Sequence, residues 1–430
     1  MVLEYLKKKL SGVADDFVLL KTSADSNSIK FVNNLIVKNS IDSITDISIF
    51  AVKDKKIVST SLKELNEKSV NKSIKNIVEF FKFTKPNENY LGIAKGPFNY
   101  KKVNNLYDKK IKDLNCVDVV ESGINSALKN SKRASGVFDT VLGKRRIITS
   151  ENIDVSEDFS SLYFSIRALN TDDASGHKTC SSRILNGFNV EKISEKAGEI
   201  SKRSLNPEKG RAGVFDMVID PLPAAGLIEF VGDALSVYNV EAGMSFFANK
   251  LKQRIGKFNL IDQGNLDGGM SSSIFDSEGV PTQKTKIIDE GVLNSYLHNT
   301  STAKKYGIKT TANAGLISPE PTNLILNGKI GNPFDIKKGI YVTNLWYTRF
   351  QNYASGDFST IPRDGMFLIE NGEVTKPIKN LRISENILNL LKNIEIFGKE
   401  KEQITSWENN TPVITSNLLI KNIKFSKPLG

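Results

Sequence analysis

Three stretches carry residue types whose spacing can do chemistry. The first is Phe275-Asp276-Ser277-Glu278-Gly279-Val280-Pro281-Thr282, where two carboxylates stand one residue apart ahead of a glycine that tolerates positive φ. It reads as a sharp acidic turn feeding an alternating strand, which turns again at Glu290-Gly291. Such a turn is either a binding loop or the solvated end of a hairpin. The second is Pro223-Ala224-Ala225-Gly226-Leu227-Ile228-Glu229-Phe230-Val231-Gly232-Asp233-Ala234, in which Glu229 and Asp233 lie four apart on one helical face. That spacing suits a hard cation, and it equally suits an ordinary solvated acidic edge. The third is Trp346-Tyr347-Thr348-Arg349-Phe350-Gln351-Asn352-Tyr353, the most aromatic window, just before Gly356-Asp357. Set in a loop, Tyr347 and Tyr353 would hold an extended peptide; otherwise they anchor a core or an interface.

The scarcity of other reactive groups excludes more than these stretches propose. His177, His298, Cys116 and Cys180 are the only histidines and cysteines. They provide no disulfide framework and no cysteine zinc cluster, and only His177 and Cys180 are close in sequence. Gly268-Gly269-Met270-Ser271-Ser272-Ser273 lacks the spacing of a nucleophile elbow. Leu142-Gly143-Lys144-Arg145 lacks the upstream glycine and the hydroxyl residue of a phosphate-binding loop.

The net charge of +11 is confined to one region. Residues 1–150 hold 27 of the 59 Lys+Arg and 16 of the 48 Asp+Glu, leaving 32 of each for the rest. The excess is dispersed lysine with few aromatics, apart from Lys144-Arg145-Arg146, so nucleic-acid binding is disfavoured as the main role. No uncharged apolar run is long enough to span a bilayer, and no membrane partner is expected. Residues 1–10 form an amphipathic helix unlike a signal peptide, which points to a cytoplasmic protein.

At 430 residues two or three domains are expected. Leu3, Leu6 and Leu10 recur at helical spacing, and hairpins are expected about Asn33-Asn34 and Asp54-Lys55. Ser61-Leu62-Lys63-Glu64 reads as a capping box opening a helix that ends at Thr84-Lys85-Pro86. Residues 84–112 read as a basic linker. A helix over 117–128, hairpin strands at 137–142 and 147–149, a strand over 162–168, a turn at Ser175-Gly176 and a helix over 190–200 follow. The order repeats, so 1–206 is expected to be an α+β domain with antiparallel sheets and an architectural duplication. Beyond Pro207, residues 207–430 read as a predominantly antiparallel β domain, with helices over 224–237, 301–306 and 384–391.

In chain order, Asp276-Ser277-Glu278-Gly279-Val280 with Thr282, Gly291-Val292-Leu293, Ala303-Lys304-Lys305-Tyr306-Gly307, Thr311-Ala312-Asn313-Ala314-Gly315, Gly356-Asp357-Phe358-Ser359 and Ile369-Glu370-Asn371-Gly372-Glu373 followed by Pro377 resemble the C-terminal domain of the TldD/PmbA family. The resemblance is dense from about Gly213 to Gly398 and only architectural before that. In TldD-type members the helix after the first C-terminal strand carries His-Glu-x-x-x-His, two imidazoles one turn apart with a carboxylate that activates water. That helix has no histidine here, and the C-terminal cysteine ligand of the family is missing from residues 400–422.

The resemblance is therefore to the PmbA (TldE) branch, and it implies a non-catalytic subunit with no catalytic residue, metal or cofactor of its own. Zinc is expected only in a TldD-like metalloprotease subunit, the heterodimer partner, the alternative partner being a second copy of this chain. The complex would degrade unfolded or short peptides in the cytoplasm, with this chain shaping the peptide chamber. Candidate peptide-binding residues are Asp276, Glu278, Gly279, Tyr347, Tyr353, Gly356 and Asp357; Gly226, Glu229 and Asp233 mark the degenerate metal-site helix. The alternatives are a stand-alone homodimeric peptide-binding or regulatory module without peptidase activity, and a nucleic-acid-associated modulator.

Overall fold

The computed structural model describes residues 2–427. Helix α1 (Val2–Leu10) buries Leu3, Leu6 and Leu10, as their spacing predicts; Met1 lies outside the described residues. Long strands β1 (Asp16–Val32) and β2 (Leu35–Lys53), short β3 (Lys56–Leu62) and helix α2 (Glu67–Phe83) follow. Then come α3 (Cys116–Leu128), β4 (Arg133–Thr149), β5 (Asp154–Thr171), β6 (Ala174–Ser182) and α4 (Val190–Arg203). The strands make one antiparallel sheet in the order β3-β2-β1-β4-β5-β6. Two α-β-β-β-α units thus lie side by side with β1 against β4, which is the form the expected duplication takes.

Asn33 (φ 47°) and Asn34 (φ 72°), and Asp54 (φ 51°) and Lys55 (φ 60°), turn the two hairpins in the left-handed region that tight turns require. Leu6, Leu10 and Ile77 of α1 and α2 cover Ile47 and Ile49 of the sheet. Val120, Ala127 and Ala197 of α3 and α4 cover Phe138 and Phe164.

Three local expectations are corrected. Ser61 and Leu62 belong to β3, paired with Ser48 and Ile47, so α2 begins later with Asn66 capping Ser69 N–H at 2.9 Å. Residues 143–146 are not a turn, because β4 is hydrogen-bonded on both sides, with Gly143 between Ala24 and Phe159. A Cβ on Gly143 would lie 2.4 Å from Phe159 Cζ, so close strand packing demands the glycine there. The β5–β6 turn falls at Asp172-Asp173, three residues before the expected place.

The second half runs β7 (Glu208–Lys209), β8 (Gly213–Ile219), α5 (Pro221–Ala234), α6 (Val237–Glu241), β9 (Phe258–Gln263), β10 (Lys284–Asp289) and β11 (Val292–Leu293). It continues through α7 (Thr300–Lys305), β12 (Leu324–Gly328), β13 (Lys338–Asn352), β14 (Asp357–Glu370), β15 (Glu373–Lys379) and β16 (Arg382–Asn386). It ends with α8 (Ile387–Lys392), β17 (Ile394–Phe397), β18 (Glu402–Ser406), β19 (Asn409–Thr415) and β20 (Leu418–Ser426). One sheet has the order β11-β10-β9-β12-β19-β18, the other β13-β8-β20-β16-β14-β15-β7. Since β14 also pairs with β13, the path from β13 through β14 closes on itself. Helix α5 packs against β13 of one sheet and β18 and β19 of the other, in a core with Leu227, Val231, Leu260, Leu324, Ile340 and Val413. The aromatic window expected as a loop is instead the end of β13. It pairs with β14 through register shifts near Trp346 and Phe350.

An apolar seam joins the halves, with Val18, Phe50, Ile147 and Ile153 packed against Phe275, Val280 and Ala312. The segment 84–112 follows this seam instead of hanging free: Leu91 N–H donates to Ser301 Oγ at 2.9 Å, and Tyr100 Oη–H donates to the Gly279 carbonyl at 2.7 Å. Among the described residues no helix is long and apolar enough to cross a membrane.

Candidate functional site

Helix α5 is buried almost all round, so its few non-apolar positions are informative. Asp220 caps its start ahead of Pro221, and both Asp220 oxygens are taken. Oδ2 accepts from Lys178 Nζ at 2.7 Å; Oδ1 accepts from Tyr341 Oη at 2.6 Å and Asn417 Nδ2 at 2.7 Å. Burial alone would lower the Lys178 pKa, but the facing Asp220 carboxylate outweighs it and raises it. This ion pair ties the start of α5 to β6 of the first sheet.

Glu229 is buried, and its Oε1 accepts the backbone N–H groups of Asn410 (2.6 Å) and Thr411 (3.1 Å). Burial raises its pKa while those two donors oppose the rise. Its carboxylate therefore straps α5 to β19. Asp233, one turn on, is exposed. A Cβ added to Gly226 would meet no atom within 4 Å, because that position faces a narrow slot. The slot is walled by Leu222, Pro223, Asn344, Trp346, Ser406 and Trp407, and its accessible volume is about 20 Å³, room for roughly one water.

His177 closes one end of this slot, and its ring is fully committed. The Asn344 side-chain amide donates to Nδ1 at 3.1 Å, so Nε2 carries the proton and donates to Ser165 Oγ at 2.9 Å. Burial first lowers its pKa, to about 4, so the ring is neutral. Asn344 Nδ2 also donates to Asp364 Oδ2 at 2.9 Å, and Arg167 donates to the same oxygen at 3.0 Å. Burial alone would raise the Asp364 pKa; Arg167 first, with hydrogen bonds from Ser175 and Asn344, holds it below the ordinary value. The Arg167 guanidinium sits 4.1 Å from the Trp346 ring centroid, and Arg363 sits 4.5 Å from the same ring. The Trp346 indole N–H is buried without a partner.

The acidic turn lies elsewhere, in the apolar seam. Asp276 Oδ1 accepts the N–H groups of Glu278 and Val280, both at 2.9 Å, and Oδ2 accepts Ala314 N–H at 3.1 Å. Glu278 Oε2 accepts Thr300 N–H at 3.2 Å. Both carboxyls are buried, and burial raises both pKa values. Glu278, further opposed by Asp276, is pushed up to about 8. Gly279 has φ +80°, and a Cβ there would sit 2.6 Å from Ile153 Cγ2. In this chain the turn is a joint between the halves, and its carboxylates face protein.

The aromatic residues form two groups. Tyr347 (φ 53°) is 56% exposed and stands edge-on to Trp346, whose ring also meets Trp407, itself 61% exposed. Tyr353 stacks on Phe350, which contacts Phe230 of α5. Gly356 has φ +82°, and Asp357 accepts from Ser355 Oγ and Asn386 Nδ2, so both hold the β13–β14 turn. Tyr347 and Arg363 also edge a cavity of about 320 Å³ bounded by Asp172, Asp364 and Lys379.

The structure thus brings Gly226, Trp346 and Tyr347 to one neighbourhood and leaves Asp276, Glu278 and Gly279 outside it. Sequence reasoning missed Asp220, Lys178, Arg167, Asp364 and Trp407. Only Asp220 had a local signal, the Asp-Pro step at a helix start. Cys180 and His177, three apart on β6, point to opposite faces, and burial pushes the Cys180 thiol up to about 12.

Residues 212–427, half of the chain, match the family model described as the PmbA/TldA metallopeptidase C-terminal domain. An uncharacterised protein of Methanocaldococcus jannaschii is 29% identical over 360 residues, covering 80% of this chain and 82% of that protein. A metalloprotease of Methanothermobacter thermautotrophicus is 30% identical over 241 residues, a match spanning 52% of either chain. The crystal structure of TldE from Thermococcus kodakarensis has the same fold, with a TM-score of 0.87 at 21% identity over 99% of this chain and 100% of that one.

Proposed function

This chain belongs to the PmbA/TldD metallopeptidase family, and on that premise we propose that it is the non-catalytic subunit of a cytoplasmic TldD/PmbA-type metalloprotease complex. The observation that carries this reading is the surface of α5. Zinc does not fit the side chains there: Gly226 offers no donor, Glu229 is engaged by two backbone N–H groups, and both ring nitrogens of His177 are used. Among the described residues no three His, Cys, Asp or Glu side chains gather to hold an ion. No hydrolytic step is routed through this chain. Helix α5 buries Leu222, Leu227, Ile228 and Val231 in the apolar core, which suits a part that shapes a chamber and leaves the chemistry to a histidine-bearing partner. The exposed shelf of Tyr347 and Trp407, with Arg363 beside it, is the surface we assign to unfolded or short peptides.

The test is metal content and peptidase activity of the pure chain, alone and mixed with a TldD-like subunit. The expected result is no stoichiometric zinc and no cleavage alone, with cleavage appearing or rising on mixing. Stoichiometric zinc together with cleavage by this chain alone overturns the reading.

A further inference from the structure

The cavity of about 320 Å³ edged by Tyr347 and Arg363 lies between the β5–β6 turn and strands β14 and β15. It is at the small end of the range for ligand pockets. Pro207, Pro362, Pro377 and Leu381 line it without bringing a side-chain donor. The acids of its wall are each matched by a base. Asp172 meets Arg133 at 3.2 Å, Asp173 meets Lys379 at 2.6 Å, and Asp364 meets Arg167 at 3.0 Å. Two hydroxyls of the wall are also in use: Ser175 donates to Asp364 Oδ1 at 2.6 Å and Ser204 to the Ile200 carbonyl at 2.8 Å. Arg363 is the exception, since no ion pair among the described residues uses it. One net positive charge therefore remains on the wall, which suits a monoanion better than a phosphate dianion.

Arg363 is held in place without being neutralised. Its guanidinium lies 4.5 Å from the centroid of the Trp346 ring, the ring that Arg167 meets at 4.1 Å. Stacking on an aromatic ring leaves the in-plane N–H groups of a guanidinium free to donate. The backbone of the wall is set against its own preference, with Tyr347 at φ 53°, Asp364 at φ 55° and Asn380 at φ 62°. Left-handed backbone at non-glycine residues gathers where a surface has to present groups to a ligand. A fork of N–H donors with no counter-ion, beside an apolar wall, is the arrangement that recognises a carboxylate.

We infer that this cavity receives a carboxylate of a peptide lying on the shelf of Tyr347 and Trp407, with Arg363 as its partner. The carboxylate is either the peptide's C-terminus or an Asp or Glu side chain. The inference rests on the peptide reading of that shelf. The experiment is fluorescence anisotropy of the full chain with hexapeptides of Ala, Ser and Leu carrying a neutral dye at the N-terminus. They are made as the free C-terminal acid, as the C-terminal amide, and as the amide with Glu in the last position. At least one acidic form should bind about five- to tenfold tighter than the plain amide. Preference for the free acid identifies the C-terminus as the source, and preference for the Glu amide identifies the side chain. Arg363→Gln should bring the ratio to within about twofold, and Arg363→Lys should keep part of it, because the charge stays while the fork is lost. Asp172→Asn, at a fully exposed side chain of the wall, should tighten the acidic forms about twofold and leave the plain amide unmoved. Circular dichroism checks that each variant is folded. Equal binding of all three forms by the wild-type chain overturns the inference and leaves the shelf standing. So does a preference that survives Arg363→Gln. Failure of every form to bind removes the peptide shelf itself, and this inference with it.

Discussion

Replacing Glu278 by Gln probes the joint between the two halves. The carboxyl is 7% exposed, accepts one backbone N–H from Thr300, and shares its turn with the Asp276 carboxyl. Burial, and then Asp276, push its pKa from 4.5 to about 8. The folded chain therefore retains a proton that the unfolded chain releases near pH 4.5. Stability contributed at this position falls as pH rises through that interval, and the full penalty applies above about pH 8. At 1.36 kcal/mol for each unit of pKa, the interval corresponds to roughly 4 to 5 kcal/mol for a carboxyl that stays dry, and relaxation with water entry reduces this to about 2 kcal/mol. Glutamine cannot ionise, and its amide oxygen can still accept from Thr300. Glu278→Gln should match the parent near pH 5 and exceed it by about 2 kcal/mol near pH 8.5. Urea and thermal midpoints at both pH values read this directly. Parallel pH profiles for parent and variant would refute the assignment, because they would mean that Glu278 ionises in the fold without cost.

Two further outcomes follow from the site. Glu229→Ala strips the acceptor from the N–H groups of Asn410 and Thr411, which should cost about 1–3 kcal/mol in unfolding measurements while leaving metal content unchanged. An unchanged midpoint would show that the carboxylate is not a strap. Tyr347→Ala and Trp407→Ala should each weaken capture of a fluorescent unfolded peptide about three- to tenfold, with little change in thermal midpoint because both side chains are more than half exposed. Unaltered affinity in both variants would remove this shelf from the peptide path.

The sequence alone determined what depends on residue type and short spacing. Asn33-Asn34 and Asp54-Lys55 have their turns because Asn and Asp tolerate positive φ, and both are turns in the structure. The amphipathic helices, the repeated order of elements and the lack of imidazole on α5 were legible for the same reason. Tertiary structure decided the rest. Gly143 sits mid-strand because neighbouring strands bind it from both sides, and Ser61 joins β3 because strand pairing outweighs a four-residue capping pattern. Asp276 and Glu278 look like a solvent-facing acidic loop until residues from the other half, Ile153 among them, close over them. Glu229 meets N–H groups 181 and 182 positions away, and Arg167 meets a carboxylate 197 positions away. Whether a carboxylate is a ligand, a strap or a solvated edge depends on its desolvation and on the donors within about 3 Å, and chain folding sets both.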